Sequence, residues 1–324
     1  YQLLPHLKWL TQADYTHVYY VDLKPKVTDV KIFCGDATSP ASCINGQTGV
    51  THPGGWGTIL IGGFRLGGSC SACASSSGAP TMTVTISGTP RNFYSAYFVL
   101  DVTDPEAPPK LLWSYSPSNL GLTTAYPTVV RTSPKDDAKA DHANAQWYVV
   151  VGSGVTGYDA EIPLPYGTPG KTTGQAPRIH AINLVEGPGT AVQVSIGSLK
   201  SFLGDGITYD QNLDYRSDTT YIGRVIHPDA IPSVSLPADT SGTRDGTSIW
   251  TGKLHRLTMG VCPSAPCSVF TWGWGTPTIR AATEVLDTFA GGTIMMGPMV
   301  SAPTVTLDSG GKTWVFFGTG RYFS

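Results

Sequence analysis

The sequence has no long apolar run, no helical periodicity of apolar residues and no marked surplus of charge. A helix that crosses a bilayer needs roughly 18 or more apolar residues in a row, whereas the apolar stretches here have the length of strands, such as 147–151 and 314–317. Only 14% of the residues are charged, and the formal net charge is −2. We therefore expect no membrane span, and electrostatics favour neither nucleic acid nor an anionic membrane as partner.

Glycine and proline are abundant, and they indicate short strands joined by tight turns. The 324 residues include 38 Gly and 25 Pro. Without a helical repeat, this composition predicts an all-β fold. A chain of this length can form one all-β domain, so 1–324 is interpreted as a single domain. Because it starts at Tyr1 rather than Met, the chain is expected to be processed or a fragment of a longer protein.

Strand-like segments recur in the same order along the chain. The copies are 25–30, 56–63, 97–101 and 112–115; then 126–130, 147–154, 179–183 and 193–196; then 219–223, 253–257 and 268–272; and finally 302–305 with 314–320. Repeated four-stranded antiparallel sheets predict a β-propeller with loop insertions, and the length leaves room for about six to eight blades. Residues 1–22 are expected to lead into the fold or to close the last blade.

The cysteines form three pairs that are close in sequence, each in a stretch rich in Gly, Ser or Pro. The pairs are Cys34 with Cys43, Cys70 with Cys73, and Cys262 with Cys267. Three local disulfides in an oxidising compartment are the simplest interpretation, although other connectivities remain open. A redox motif at 70–73 lacks its usual βαβ context, and a zinc site lacks a recurring ligand spacing.

An acidic loop at 210–218 carries the clearest chemical signal in the sequence. Oxygen-bearing side chains stand at loop positions 1, 3, 5 and 9, namely Asp210, Asn212, Asp214 and Asp218. The backbone carbonyl of Arg216 stands at position 7. This alternate spacing turns oxygen ligands onto one hard cation, so the loop predicts a calcium site.

The acidic loop differs from an EF-hand, and a simpler interpretation is available. An EF-hand has Gly at position 6 and Glu at position 12, where this chain has Tyr215 and Tyr221. The alternative is a solvated acidic turn, since Asp and Asn favour turns for local reasons. Three ionised carboxylates in register repel one another without a cation, which favours calcium.

Several motifs together resemble the C-terminal propeller of the PilC/PilY family of type IV pilus tip adhesins and biogenesis factors. They are the segments 19–22 and 25–27, 55–68 (GWGTILIGGFRLGG), 97–105 (YFVLDVTDP), 210–223, 252–254 and 318–322. They follow the family's order and span nearly the whole chain. The family's N-terminal half has no counterpart here.

The resemblance implies a modified propeller of about seven blades with one calcium ion, held by the five residues of the acidic loop. It implies a role in pilus biogenesis, in extension and retraction, and in surface adhesion. The implied partners are minor pilins at the pilus tip and a surface or host ligand. The implied location is extracellular, at the pilus tip on the cell surface, after export through the periplasm. The family's loop often has Gly where Tyr215 stands, which bears on turn geometry and affinity.

Other functions have less support, and no catalytic residue is assigned. A quinoprotein-like enzyme would need repeated tryptophan docking motifs, and the seven His residues form no metal-binding pair at i, i+4 spacing. Asp101 and Asp104 are interpreted as turn caps. Trp56, Trp147 and Trp314 are interpreted as packing between sheets rather than sugar platforms. The alternative function is that of a generic extracellular propeller that binds glycan or protein.

Overall fold

The computed structural model describes residues 4–11, 13, 19–67, 83–86, 89–92, 95–132, 145–155, 176–196, 201–226, 251–258, 283–286 and 297–320. In chain order the strands are β1 (Lys26–Lys31), β2 (Trp56–Gly63), β3 (Thr83–Ile86), β4 (Thr89–Asn92), β5 (Tyr97–Asp101), β6 (Lys110–Tyr115), β7 (Thr128–Thr132), β8 (Gln146–Gly152), β9 (Arg178–Asn183), β10 (Gly187–Ser195), β11 (Ser201–Tyr209), β12 (Thr219–Ile226), β13 (Thr251–Thr258), β14 (Thr283–Leu286), β15 (Thr304–Leu307) and β16 (Thr313–Phe316). Two short 3-10 helices cover Leu4–Thr11 and Pro53–Gly55. The all-β prediction is confirmed.

Within the residues that the structure describes, the strands form three four-stranded antiparallel sheets, in the orders β1-β2-β5-β6, β7-β8-β9-β10 and β11-β12-β13-β14. The pairs β3-β4 and β15-β16 form two-stranded sheets. Neighbouring strands in each four-stranded sheet follow one another along the chain, apart from the β3-β4 hairpin inserted between β2 and β5. These are the repeated up-and-down units that the sequence predicts for blades.

Side-chain alternation explains why these segments form strands. In β2, Ile59 and Ile61 are fully buried, while Leu60 between them is only partly buried. A strand turns successive side chains to opposite faces, so one face of β2 enters the core. The central strand β12 is different, because all 8 of its residues are buried. It lies between β11 and β13 and is covered on both faces.

The sheets stack face to face, and apolar clusters join each sheet to the next. The first cluster includes Val30, Ile59 and Ile61 of the first sheet with Val149, Val151 and Ile182 of the second. The next joins Val130, Val150 and Ile179 to Leu203, Ile222 and Leu257 of the third sheet. A further cluster joins Tyr221 and Leu254 to Val305 and Val315 of the β15-β16 sheet. Burying each such aliphatic side chain stabilises the fold by about 1.5–3 kcal/mol, so the contacts between stacked sheets stabilise the fold. The blade count of about seven stays a prediction.

The third sheet departs from the prediction at its fourth strand. Its fourth strand is β14, in which Leu286 pairs with Leu254 and Glu284 with His255. The sequence predicted the aromatic segment 268–272 instead, which lies outside the described residues. Strand propensity favoured 268–272 because aromatic and β-branched residues favour strands, but pairing in a sheet depends on tertiary context. The part of 1–22 that the structure describes contains the 3-10 helix Leu4–Thr11 and no strand.

The predicted disulfide between Cys34 and Cys43 is present. Residues Cys70, Cys73, Cys262 and Cys267 lie outside the described residues, so their pairing stays a prediction. Within the described ranges, no helix is long and apolar enough to cross a membrane.

Candidate metal centre

The acidic loop connects β11 to β12 at one end of the third sheet. The last ladder pair before the loop joins Tyr209 to Thr219. The amide of Asp218 donates to the carbonyl of Tyr209 at 3.0 Å, which closes the base of the loop. The stacked sheet below it therefore fixes both ends of the acidic loop.

Carboxylate and amide oxygens inside the loop accept hydrogen bonds from its own backbone. Asp210 accepts from the amides of Asp214 and Tyr215, at 3.2 and 2.7 Å. Asn212 Oδ1 also accepts from the amide of Asp214, at 3.0 Å. Asp214 Oδ1 accepts from the amide of Arg216 at 2.9 Å. These bonds curl the backbone into one turn that carries the predicted ligands.

Asp218, at the far end of the loop, is the last of the predicted ligand side chains. Its Oδ2 accepts from the amide of Gln211 at 2.7 Å, which brings positions 2 and 9 of the loop together. Burial, followed by the negative charges of Asp210 and Asp214, raises the pKa of Asp218, although the amides of Gln211 and Asn212 oppose this. The charge on Asp218 is thus disfavoured in the folded protein without a nearby cation.

The backbone adopts left-handed conformations at two loop residues that are not glycine. Leu213 has φ 57° and Tyr215 has φ 66°. A residue with a side chain in this region costs about 1–2 kcal/mol. Both side chains point into solvent, with exposed fractions of 71% for Leu213 and 62% for Tyr215. Tyr215 thus makes the left-handed turn for which an EF-hand uses Gly.

The donor chemistry of the loop fits a hard cation. Calcium takes six to eight oxygen ligands, and the loop offers the side chains of Asp210, Asn212, Asp214 and Asp218 with the carbonyl of Arg216. A carboxylate oxygen that accepts one N–H keeps capacity for a second partner. In the part of the chain that the structure describes, no group of three or more His, Cys, Asp or Glu is arranged to hold a metal ion. Asp210, Asp214 and Asp218 are among these residues, so their carboxylates are not by themselves arranged as a metal site, and calcium binding would have to draw them together with Asn212 and the Arg216 carbonyl.

A residue that the sequence did not point to, Arg131 of β7, contacts the loop from the second sheet. Its amide donates to Ser217 Oγ at 3.0 Å, and its carbonyl accepts from the amide of Ser217 at 2.9 Å. Its Nη1 donates to the carbonyl of Tyr215 at 3.2 Å. The Arg131 guanidinium also lies over the ring of Trp147, 5.2 Å from its centroid. No sequence signal links Arg131 to a loop more than 80 residues further on.

A cleft of about 230 Å³ lies between the first and second sheets, next to the loop closed by the Cys34–Cys43 disulfide. Its lining includes Lys31, Pro40, Ser42, Gln146, Trp147 and Glu186. Trp56 and Trp147 meet edge to face with centroids 6.0 Å apart, as the packing interpretation predicts. Trp314 does not fit the packing interpretation, because its side chain is 51% exposed and its indole N–H donates to Asp308 Oδ2 at 2.8 Å.

Asp101 is more than the turn cap that the sequence predicted. It does accept from the amide of Thr103 at 3.0 Å, as a cap would. It is also fully buried, and its Oδ2 lies 2.6 Å from the amide of Gln47 and 3.0 Å from His52 Nε2. This network ties the segment after the Cys34–Cys43 loop to the end of β5, so its role is structural. Asp104 behaves as predicted and accepts from the amide of Glu106 at 2.9 Å.

His180 is likewise buried and makes a defined contact. Its Nδ1 is hydrogen-bonded to the hydroxyl of Tyr115 at 2.8 Å, across the interface between the first two sheets. Burial, with the nearby charge of Arg178, lowers the pKa of His180 to about 3. A neutral imidazole in this position is a packing residue with a polar contact.

The fold is a stack of four-stranded sheets with an acidic loop at the end of the third. Among solved structures, the chain is similar to the crystal structure of the Pseudomonas aeruginosa PilY1 C-terminal domain, with 22% identity and a TM-score of 0.49. The match covers 94% of this chain and 45% of that one, so this chain spans less than half of that structure's chain. No family model matches this chain. No curated protein matches it.

Proposed function

We propose that this chain is a calcium-binding module of a type IV pilus protein, with a role in pilus biogenesis and surface adhesion. The observation that carries the proposal is the conformation of the acidic loop. Its four oxygen side chains and the Arg216 carbonyl lie on one curled turn, with Tyr215 left-handed where a calcium loop commonly has Gly. The order of the motifs along the sequence supports the connection to pili.

Calcium would supply the charge that the loop lacks. Asp210, Asn212, Asp214 and Asp218 would hold the ion through side-chain oxygens, and Arg216 through its carbonyl. Arg216 Nη1 lies 3.7 Å from Asp214 Oδ2 and offsets part of the negative charge. The remaining repulsion between carboxylates favours a bound cation over a bare loop. The bound loop would hold one shape, while the stacked sheets keep theirs in either state.

The exposed tip of the loop offers a surface for a partner. Leu213 and Tyr215 present apolar side chains to solvent on the same turn as the ligands. A partner that contacts them would sense whether the turn is ordered. The proposed partners are minor pilins at the pilus tip and a surface or host ligand. The proposed role is binding and assembly rather than catalysis.

The proposed location is the cell surface at the pilus tip, reached by export through the periplasm. The Cys34–Cys43 disulfide supports an oxidising compartment, because disulfides persist in secreted and surface proteins.

Isothermal calorimetry with calcium tests the metal site. We expect the wild type to release or absorb heat at up to millimolar calcium, and Asp210→Ala to give none. Asp308→Ala is the matched control, because Asp308 also leads a turn by accepting from backbone amides of Gly310 and Lys312. Equal heats for wild type and Asp210→Ala would remove the site. In the full-length protein, normal piliation and attachment with Asp210→Ala would remove its regulatory role.

A second candidate function is ligand binding by the cleft between the first two sheets. The observation that favours it is an indole wall, Trp147, next to the polar side chains of Gln146 and Asn183, a combination suited to a saccharide ring. Titration of the protein with monosaccharides by NMR tests this function. Shifts at the Trp147 indole that Trp147→Phe abolishes would support it, and unchanged spectra at tens of millimolar sugar would exclude it.

A further inference from the structure

Arg131 contacts the acidic loop on both sides of its one proposed backbone ligand. The carbonyl at loop position 7 belongs to Arg216. The residue before it, Tyr215, gives its carbonyl to Arg131 Nη1 at 3.2 Å. The residue after it, Ser217, exchanges two hydrogen bonds with the backbone of Arg131, at 2.9 and 3.0 Å. The peptide unit that contains the Arg216 carbonyl is held through the Ser217 N–H, and the unit before it through the Tyr215 carbonyl, both from the neighbouring sheet.

The Arg131 side chain is itself held in place by Trp147. Arg131 and Trp147 are paired across β7 and β8, and the guanidinium lies 5.2 Å from the centroid of the indole ring. A planar guanidinium can stack on an aromatic face and donate in its own plane at once, which an ammonium group cannot do. Trp147 in turn packs edge to face on Trp56 of the first sheet. The indole that contacts the Arg131 guanidinium is therefore itself held by a neighbouring sheet.

These contacts also explain the left-handed backbone at Tyr215. Tyr215 takes φ 66° although it carries a side chain. Its amide donates to Asp210 at 2.7 Å and its carbonyl accepts from Arg131. Both polar groups of this residue are thus used, one by a proposed ligand and one by the neighbouring sheet.

We propose that Arg131 is a positioning residue for calcium. It fixes the Arg216 carbonyl and couples calcium occupancy of the acidic loop to the surroundings of Trp147. The inference rests on the proposed calcium function. Groups that orient metal ligands from outside typically change metal affinity by about 10- to 100-fold when they are altered. Because Trp147 also lines the cleft between the first two sheets, calcium in the loop would change the surroundings of one cleft wall.

The test compares calcium affinity and tryptophan emission in four variants. Arg131→Lys keeps the charge but loses the planar fork, and we expect its calcium affinity to fall by about tenfold. Arg65→Lys is the matched control, since Arg65 pairs with Asp22 at 3.4 Å and lies just after β2 of the first sheet. Its affinity should equal that of the wild type. Ser217→Ala removes only the side-chain acceptor of the Arg131 amide, and we expect a loss of about threefold.

Tryptophan emission separates positioning from a merely structural role. Calcium should change the emission of the wild type, and Trp147→Phe should abolish that change. Arg131→Lys at saturating calcium should bind the ion without the change in emission. Thermal unfolding of each calcium-free variant shows whether it is folded. Should Arg131→Lys not fold, Ser217→Ala and Trp147→Phe still decide the matter.

The outcomes distinguish the inference from the proposed function. Absence of calcium heat in both the wild type and Arg65→Lys would refute the calcium site and the inference with it. Equal affinities of wild type, Arg131→Lys and Ser217→Ala would leave the calcium site standing and refute the role of Arg131. A calcium-dependent emission change that persists in Trp147→Phe would refute the link to Trp147.

Discussion

The turn at Asp101 and the acidic loop both gather polar groups around aspartates, yet the groups around those aspartates differ in charge. Asp101 is one fully buried carboxylate surrounded by donors, the amides of Gln47 and Thr103 and the ring of His52. The acidic loop has three partly exposed carboxylates, and the charges of Asp210 and Asp214 act on Asp218. The first cluster is complete with protein groups alone. In the second cluster, burial and the charges of Asp210 and Asp214 raise the pKa of Asp218, an effect that a bound cation would oppose.

The largest effect on the free energy of unfolding is expected when the Asp101 cluster loses its central carboxylate. Asp101→Ala would leave the donors of Gln47, Thr103 and His52 buried without their acceptor. Breaking a buried pair in this way costs about 3–5 kcal/mol. We expect the free energy of unfolding, measured by urea denaturation, to fall by that amount.

The control for this variant is Asp104→Ala, three residues further on. Asp104 caps only the amide of Glu106, in an exposed bond, so its loss should cost about 1 kcal/mol. Similar losses for the two variants would mean that the Asp101 cluster is not a special source of stability.

The next effect is expected in the acidic loop when calcium is added. A ligand at a hundred times its Kd stabilises the bound state by about 2.7 kcal/mol. Amide exchange at Asp214, Tyr215 and Arg216 should then slow by about a hundredfold, while Val149 in β8 exchanges as before. Hydrogen exchange followed by NMR measures this, and a chelator should reverse it. Protection of Val149 and the loop to the same extent would contradict a local effect.

Asp218→Asn is expected to have a smaller effect on stability in the absence of calcium, and to stabilise the protein where Asp101→Ala destabilises it. The pKa of Asp218 is raised in the fold, so its contribution to stability is present below the unfolded pKa and lost as pH rises through the folded pKa. The neutral Asn should stabilise the calcium-free protein at pH 7 by about 0.5 kcal/mol, since solvent screens a half-exposed group. Near pH 3 the two proteins should be equal.

Calcium should reverse the order of these two proteins, because the charged carboxylate of the wild type binds the ion more strongly than the neutral amide of the variant. Thermal unfolding in chelator and in calcium measures both effects. A calcium-free Asp218→Asn that is less stable than the wild type at pH 7 would show that repulsion in the loop is unimportant.

The smallest effect concerns a single exposed carboxylate, and it sharpens the comparison. The amide of Gly54, followed by the hydroxyl and amide of Thr38, lowers the pKa of Asp36 to about 2. Its contribution to stability is therefore present above the unfolded pKa and lost as pH falls through about 2. Titration of side-chain carboxyl shifts by NMR should place Asp36 below and Asp218 above the usual value of about 3.9. Shifts in the same direction for both residues would remove the distinction between a satisfied turn and a cluster.

Much of the fold follows from local pattern, and the exceptions have physical reasons. The first two sheets contain the predicted strands, because apolar alternation at residues such as Ile59 and Ile61 is visible in the sequence. The strand β14 was not predicted, because its pairing with β13 joins Leu286 to Leu254, two residues far apart in the chain. Asp101 was interpreted as a cap because its contact with Thr103 is local, whereas its partners Gln47 and His52 lie about 50 residues away.

The sequence by itself determined the features whose parts are neighbours in the chain. These are the all-β class, the Cys34–Cys43 pair and the oxygen side chains of the acidic loop, because short spacing sets geometry without help from the rest of the molecule. Only the tertiary structure decided what lies around them. Stacking of the second sheet on the third brings Arg131 to Tyr215 and Ser217. Tertiary packing also brings Asp101 to its donors Gln47 and His52, and partial burial raises the pKa of Asp218 near the charges of Asp210 and Asp214. Contacts between distant segments depend on how whole sheets pack, and no local pattern records that.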